Sequence, residues 1–432
     1  MSPFVIGIIG IFVLFLLFAF QMHIGVALGL VGLVGFSCLA GLDKGLPILG
    51  LSPYSTSFSY SFTVIPLFVL MGEFISRSGL GREIYHTAYQ WVGPFPGGLA
   101  MATVAGCAGF AAVSGSSTAT AATLGTVSLP EMKRYKYDSA FSTGALAAGG
   151  TLGILIPPSV TFILYGQLAE QSIGQLFIAG ILPGILLATM FMLYIYIRTR
   201  LNPAIGPRGP KVDLKDKLIS LKGSWGILVL FLLVIGGIYF GIFTPIEAAG
   251  IGALGAFFFS LGTRRLTWQV IRGSLNATVQ TTAMIMVIII GAMIFSYFLA
   301  ISRIPFELAN FTTTSGLPNY VVLSLIFLIF LALGCIMSGF AVIILLVPIV
   351  FPAIVALGFD PIWFGVIVVV LIEMGLVTPP VGMNVYVIGG IAKDVPMYTI
   401  FRGVIPFFLV MLVGLIILVL FPQISLFLPS LM

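Results

Sequence analysis

Two apolar segments, TLGILIPPSVTFI at 151–163 and EMGLVTPPVGMNV at 373–385, each carry an adjacent proline pair inside a run otherwise suited to a helix. Each pair removes two backbone N–H donors and pushes the residue before it out of helical geometry, so the helix must break. One proline alone usually gives a kink; two, with Gly153 or Gly375 four residues ahead and a duplicate elsewhere in the chain, favour a true discontinuity. The carbonyls of Gly153 to Ile156 and of Gly375 to Thr378 then face a cavity from the C-terminal end of a half-helix, an end that attracts cations. Thr378 adds a hydroxyl where Ile156 offers only its carbonyl, so the two sites are not expected to be equivalent.

A second concentration of oxygen ligands is the run AAVSGSSTATAATLG at 111–125, with Ser114, Ser116, Ser117, Thr118 and Thr120 among Gly and Ala. Such a run also suits a tight interface between membrane helices. Placed at the turn of a hairpin, however, it leaves backbone carbonyls unpaired at membrane depth, where they require protein, water or a cation. Hydroxyls and carbonyls together form a hard-oxygen set for sodium, for the reason that calcium and magnesium take oxygen ligands.

Acids inside a membrane are costly and mark function by default. Glu373, two residues before Gly375, is open between ion or proton coupling and a structural partner for the break. Glu73 and Glu247 lie near span ends and read as interfacial or arginine-paired, while Asp138 and Asp360 sit where N-caps are needed. His23 and His86 are expected in cytoplasmic loops and receive no chemistry. Cys38, Cys107 and Cys335 stand alone in apolar segments, without disulfide or ligand spacing.

The elements that position these groups follow from repetition and composition. One constant offset in the numbering relates Ser116 to Ser338, Pro130 to Pro352, Asp138 to Asp360 and Pro157 to Pro379, which is the mark of a duplication. With 59% hydrophobic and 7% charged residues, the chain is excluded from soluble globules, whose charged share is about 25%. It is read as an all-α polytopic membrane protein. The net charge of +6 is what cytoplasmic loops supply, so nucleic acid is not indicated as a partner.

Ten full spans are expected, near 3–20, 24–41, 60–76, 139–166, 176–197, 225–243, 246–263, 279–302, 362–391 and 404–425. The first lacks a basic start and a small-residue cleavage site, so it reads as a retained span. Two further stretches, 98–130 and 319–357, have apolar arms about a small or polar centre and read as re-entrant hairpins, because arms of about 12–15 residues are short for a crossing. If the linker at 201–222, which includes Arg208, Lys211 and Lys215, is cytoplasmic, 17 of the 19 basic residues fall on that side, leaving Lys44 and Arg303 outside. Both termini are then outside. Each half, 1–200 and 223–432, holds five spans and one hairpin, an odd number of crossings, so the two repeats must be inverted.

The hairpin turn VSGSSTATAATLG, the segment AAGGTLGILIPPSVTF and the segment GVIVVVLIEMGLVTPPVGMNVYV resemble the large membrane subunit of tripartite ATP-independent periplasmic (TRAP) transporters, and the similarity runs from about residue 8 to 425. The resemblance implies a non-enzymatic secondary transporter of the bacterial inner membrane. It further implies a small four-helix membrane subunit, a periplasmic substrate-binding protein, sodium-driven uptake of an organic anion such as sialic acid or a C4-dicarboxylate, and an elevator movement of hairpins and broken helices. Carried over residue by residue, it places one sodium ion on Ser114, Ser117, Gly153, Ile156 and Pro158, and another on Gly334, Gly375, Thr378 and Val381. Ser116, Ser338 and Asn384 become the candidates for substrate contact. Many members carry an acidic residue near the second hairpin turn, where this chain has Met337, Ser338 and Gly339, a departure that bears on the substrate class.

Two rival readings make distinct demands. A stand-alone sodium/dicarboxylate symporter shares inverted repeats and hairpins but typically carries Ser-Asn-Thr at both turns, where this chain reads SGSS and SGF. An intramembrane serine protease with Ser114 as nucleophile needs a base within hydrogen-bond reach, and both histidines are expected outside the membrane core.

Overall fold

A computed structural model describes residues 1–210 and 212–432; Lys211, one of the basic residues of the linker, lies outside the described residues. The first half runs α1 (Pro3–Ala19), α2 (Ile24–Ala40), α3 (Leu42–Ser57), α4 (Val64–Arg77), α5 (Leu80–Val92), α6 (Gly98–Ser114), α7 (Ser117–Arg134), α8 (Ser139–Leu155), α9 (Val160–Leu168) and α10 (Ile173–Leu201). The second runs α11 (Leu214–Tyr239), α12 (Pro245–Gly262), α13 (Trp268–Ser302), α14 (Ile304–Thr314), α15 (Asn319–Gly334), α16 (Gly339–Ala356), α17 (Pro361–Leu376), α18 (Met383–Ile391), α19 (Met397–Leu420) and α20 (Gln423–Leu426). Among the described residues there is no strand, as a bilayer-spanning chain with every backbone group satisfied within helices requires. The helix boundaries repeat the sequence offset: α16 starts as far beyond α7 as Ser338 lies beyond Ser116, and α17 starts equally far beyond α8.

The fifteen residues Phe141–Leu155 of α8 and the fifteen residues Ile362–Leu376 of α17 are all buried, so the two helices that precede the proline pairs form the centre of the molecule. Asp138 and Asp360 start them as N-caps, accepting hydrogen bonds from the backbone N–H of Phe141 (2.8 Å) and Trp363 (2.9 Å). Around this centre, α6 and α7 pack on α8, α15 and α16 pack on α17, and α10 and α19 touch both. A second group, α2 along α13 and α4 against α12 and α13, flanks it. In lipid there is no hydrophobic drive between helices, so close backbone packing must hold them together. Gly144 of α8 and Gly403 of α19 show how: a methyl on Gly144 would lie 2.2 Å from the Gly403 carbonyl oxygen. Large apolar side chains such as Phe12, Leu232, Val279 and Leu420 point outward, as a lipid-facing surface demands.

Among the described residues, seven helices are long and apolar enough to cross a membrane, or eight if α8 and α9, bent by 45°, count as one. The expected spans at 3–20 and 24–41 end within one residue of α1 and α2, whereas α10, α11 and α13 run longer than expected, at 29, 26 and 35 residues. The hairpin arms are longer than expected, 17 and 18 residues in the first and 16 and 18 in the second. The first turn is tight because Gly115 takes a left-handed φ of +61° and Ser116 caps the next helix, so Ser117, Thr118 and Thr120 belong to α7. Leu214–Lys222, assigned to the linker, is helical and continues into α11, being built of good helix formers behind Asp213 at the N-cap. His86 lies on the amphipathic helix α5, not in a loop, and its ring bonds Gln90 at 3.1 Å. Glu73 pairs with Arg77 at 2.7 Å, whereas Glu247 closes a capping box with Thr244 and forms no ion pair among the described residues.

Candidate functional site

The break after α8 begins where helical donors run out. In a continuing helix the carbonyls of Gly153 and Ile154 would accept from residues 157 and 158, both of which are proline. Ile156 caps α8 in an extended conformation (φ −82°, ψ 122°), and the chain resumes as α9 behind Ser159, whose hydroxyl accepts from Phe162 N–H. The second break runs through Val377–Gly382, with Gly382 in the left-handed region at φ +60°. Both Pro-Pro bonds are cis.

Each hairpin turn rests on the break of its own half. In the first, a methyl on Gly153 would lie 2.6 Å from the Ser116 carbonyl oxygen, and one on Gly115 would lie 2.9 Å from the Pro158 carbonyl oxygen. The structure thus brings Ser114, Ser117, Gly153 and Pro158 into one neighbourhood, with the Ile156 carbonyl on the same turn. In the second, a methyl on Gly375 would lie 2.5 Å from the Gly334 carbonyl carbon, and the N–H of Val381 donates to the Cys335 carbonyl at 3.2 Å. Thr378 donates its hydroxyl to the Met374 carbonyl at 2.6 Å, which leaves its lone pairs as ligands. The half-helices then cross over: α9 packs on hairpin helix α16 and α18 on hairpin helix α7.

Ser116 and Ser338, the equivalent serines of the two halves, line one cavity of about 90 Å³ between the two turns. Their hydroxyls are not equivalent. Ser116 accepts from Ala119 N–H at 3.3 Å, whereas Ser338 makes no capping bond. Thr161, absent from the sequence-based set, also lines this cavity with a buried hydroxyl that has no hydrogen-bond partner. Its place in the first turn of α9, just past the proline pair, was the sequence signal for it. Asn384 is fully buried with both amide atoms unpartnered; its neighbour Met383 lines the cavity and Asn384 does not.

A larger cavity of about 490 Å³ lies beside the first turn, between Ser114, Ser116 and Thr118 and the helices α4 and α13, which contribute Glu73, Ser76 and Thr281. Ser114 shares a hydrogen bond with Thr120 at 2.7 Å. Ser117 donates to Glu373 of α17, a contact across the two halves that no local pattern signalled. Among the described residues no three His, Cys, Asp or Glu side chains gather as a metal site, so any cation held here meets mainly neutral oxygens. Beyond the spans, Lys133 at the end of α7 pairs with Asp394 at 2.5 Å, and this hydrogen bond holds the Asp394 carboxyl below its usual range. Burial pushes the Tyr137 phenol up to about 12, and Tyr137 donates to the Pro207 carbonyl at 2.6 Å.

The family model for the tripartite ATP-independent periplasmic transporter, DctM component, matches residues 11–424. The chain belongs to this family. The permease is 39% identical over 402 residues to the C4-dicarboxylate TRAP transporter large permease protein DctM of Pseudomonas aeruginosa, covering 90% of this chain and 93% of the relative. It is 35% identical to the sialic acid TRAP transporter large permease protein SiaM of Vibrio cholerae, covering 86% and 87%. An isethionate TRAP transporter permease protein DctMQ of Oleidesulfovibrio alaskensis matches at 34% over 96% of this chain and 66% of its own length. Among solved structures, the fold is shared with the YdaH transporter of Alcanivorax borkumensis, at a TM-score of 0.65 and 15% identity over 95% of this chain and 98% of that one. The permease is therefore a multi-pass membrane component of a transporter and not an enzyme.

Proposed function

We propose that the permease carries out sodium-coupled uptake of an organic acid anion across the bacterial inner membrane. The anion is handed over by a periplasmic substrate-binding protein, and a small four-helix membrane subunit completes the assembly. The observation that carries the reading is the paired seating of each hairpin turn on a proline break, with Ser116 and Ser338 facing one cavity between them.

Donor chemistry supports sodium. The carbonyls of Gly153 and Ile154 have lost their helical donors to prolines, and the hydroxyls of Ser114, Ser117 and Thr378 stand on the same turns. Two ions fit the two pseudo-equivalent breaks. The relatives named above for C4-dicarboxylates, sialic acid and isethionate share an anionic substrate. Among the described residues that line it, the small cavity offers hydroxyls and no cationic side chain, so sodium itself supplies the positive charge near such an anion.

An inverted pair of halves, with both termini periplasmic, would present one hairpin to each face. An elevator movement of hairpins and broken helices against the group containing α2, α4, α12 and α13 then exposes the site alternately. The test is reconstitution of the assembly in liposomes with its binding protein. Uptake should need sodium and the binding protein, with a Hill slope above one for sodium; equal uptake in choline at matched pH and voltage would sink the coupling.

A further inference from the structure

Glu373 is 1% exposed and is the one buried carboxylate among the described residues. Ser117 donates to its Oε1, and its Oε2 has no hydrogen-bond partner among the described residues. No Lys, Arg or His side chain forms an ion pair with it among the described residues. The backbone around it is held from the other side: a methyl on Gly334 would lie 3.4 Å from Gly375 Cα and 3.8 Å from the Ile372 carbonyl oxygen. Glu373 thus joins the Ser117 turn of the first hairpin to the α17 turn on which the second hairpin sits.

The oxygens proposed above as sodium ligands are carbonyls and hydroxyls, which carry no net charge. Seating one cation, and still more two, among neutral groups in a buried region leaves the ionic charge uncompensated. An anionic group beside both sites offsets that cost for either ion, because Coulomb attraction reaches past direct contact where water is excluded. We propose that Glu373 is the counter-charge shared by the two sodium sites, contacting the first through Ser117 and acting on the second through its place two residues before Gly375. The inference rests on the sodium reading. It goes beyond that reading by making sodium affinity at both sites depend on one carboxylate, so that the substrate-free permease holds sodium.

Sodium binding is measured directly on the purified, substrate-free permease in detergent, from retention of radioactive sodium and from the rise in melting temperature as sodium chloride replaces choline chloride. Glu373→Gln keeps the shape and an oxygen that accepts from Ser117 but removes the charge. Its half-saturating sodium should rise about tenfold or more for both ions, with the melting temperature in choline retained. Ser117→Ala should weaken one ion only. If Glu373→Gln binds sodium as the wild type does, this inference falls and the sodium reading stands. If the wild type shows no sodium response, the sodium reading falls and takes this inference with it. Should the Gln variant not fold, Glu373→Asp decides: it keeps the charge and should retain both ions, and loss of both in a folded Asp variant overturns the proposal.

Discussion

A methyl group on Gly375 would stand 2.5 Å from the carbonyl carbon of Gly334, so the second break and the second hairpin touch backbone to backbone. In the first half Gly153 also meets hairpin main chain, though at a non-equivalent residue: its added methyl would stand 2.6 Å from the Ser116 carbonyl oxygen. No rotamer change relieves either clash, because the obstructing atoms are main chain. Gly375→Ala and Gly153→Ala should each destabilise the permease by about 1–3 kcal/mol and abolish most uptake. Gly250, with nothing within 4 Å of an added methyl, is the control: Gly250→Ala should leave melting temperature and uptake intact. Normal uptake by both site variants would show that the turns do not need to sit on the breaks.

Thr378 and Ser114 test the two proposed sodium sites separately. Thr378→Val keeps the side-chain shape and removes an oxygen that now donates to the Met374 carbonyl. Losing one such hydrogen bond costs about 0.5–1.5 kcal/mol, which a folded permease should tolerate. Ser114→Ala likewise frees Thr120 from its partner. For each variant the half-saturating sodium for uptake should rise several-fold with expression retained. Unchanged sodium dependence in both would remove these residues from the sites.

How far the sequence reaches is visible in these same residues. Proline pairs, glycines at fixed spacing and the Asp138 and Asp360 caps act through local backbone chemistry, so the breaks and the starts of α8 and α17 could be read directly. Helix α5 was missed because LGREIYHTAYQWV is too polar to read as a span, and α3 because Pro47 and Pro53 interrupt it. The small residues Gly45, Ser52 and Thr56 with Ile48 still form a buried helical stripe on α3. The Ser117–Glu373 contact joins residues in opposite halves of the chain, and no periodicity within either segment encodes such a pairing.

Lys133 and Asp394 tie the end of the first hairpin to the loop between α18 and α19, with both side chains largely exposed. The hydrogen bond from Lys133 lowers the Asp394 pKa from its ordinary value of 3.8. For a carboxylate with a depressed folded-state pKa, the contribution to stability is full above the unfolded value and is lost as pH falls through the folded one. The stability difference between wild type and Asp394→Asn, read from melting temperatures, should therefore be small and flat from about pH 5 to 8, shrinking only below about pH 4. A difference that disappears near pH 6 would mean that another group titrates in this contact.

The inversion of the halves is the premise of alternating access, and Asp138 and Asp360 report on it, since they occupy equivalent places at the starts of α8 and α17. Under the positive-inside rule, the proposed topology has Arg134 and Lys393 in the cytoplasm, and Lys44 and Asp360 outside. Single cysteines at these positions, in a background with Cys38, Cys107 and Cys335 replaced, should report their side to a membrane-impermeant thiol reagent. In sealed right-side-out membranes, positions 44 and 360 should label while 134, 138 and 393 stay silent until the membrane is opened. Labelling of 138 and 360 from the same side would make the halves parallel. Parallel halves would bring both hairpins in from one face, and the seating of each turn on its own break could not then alternate between the two sides.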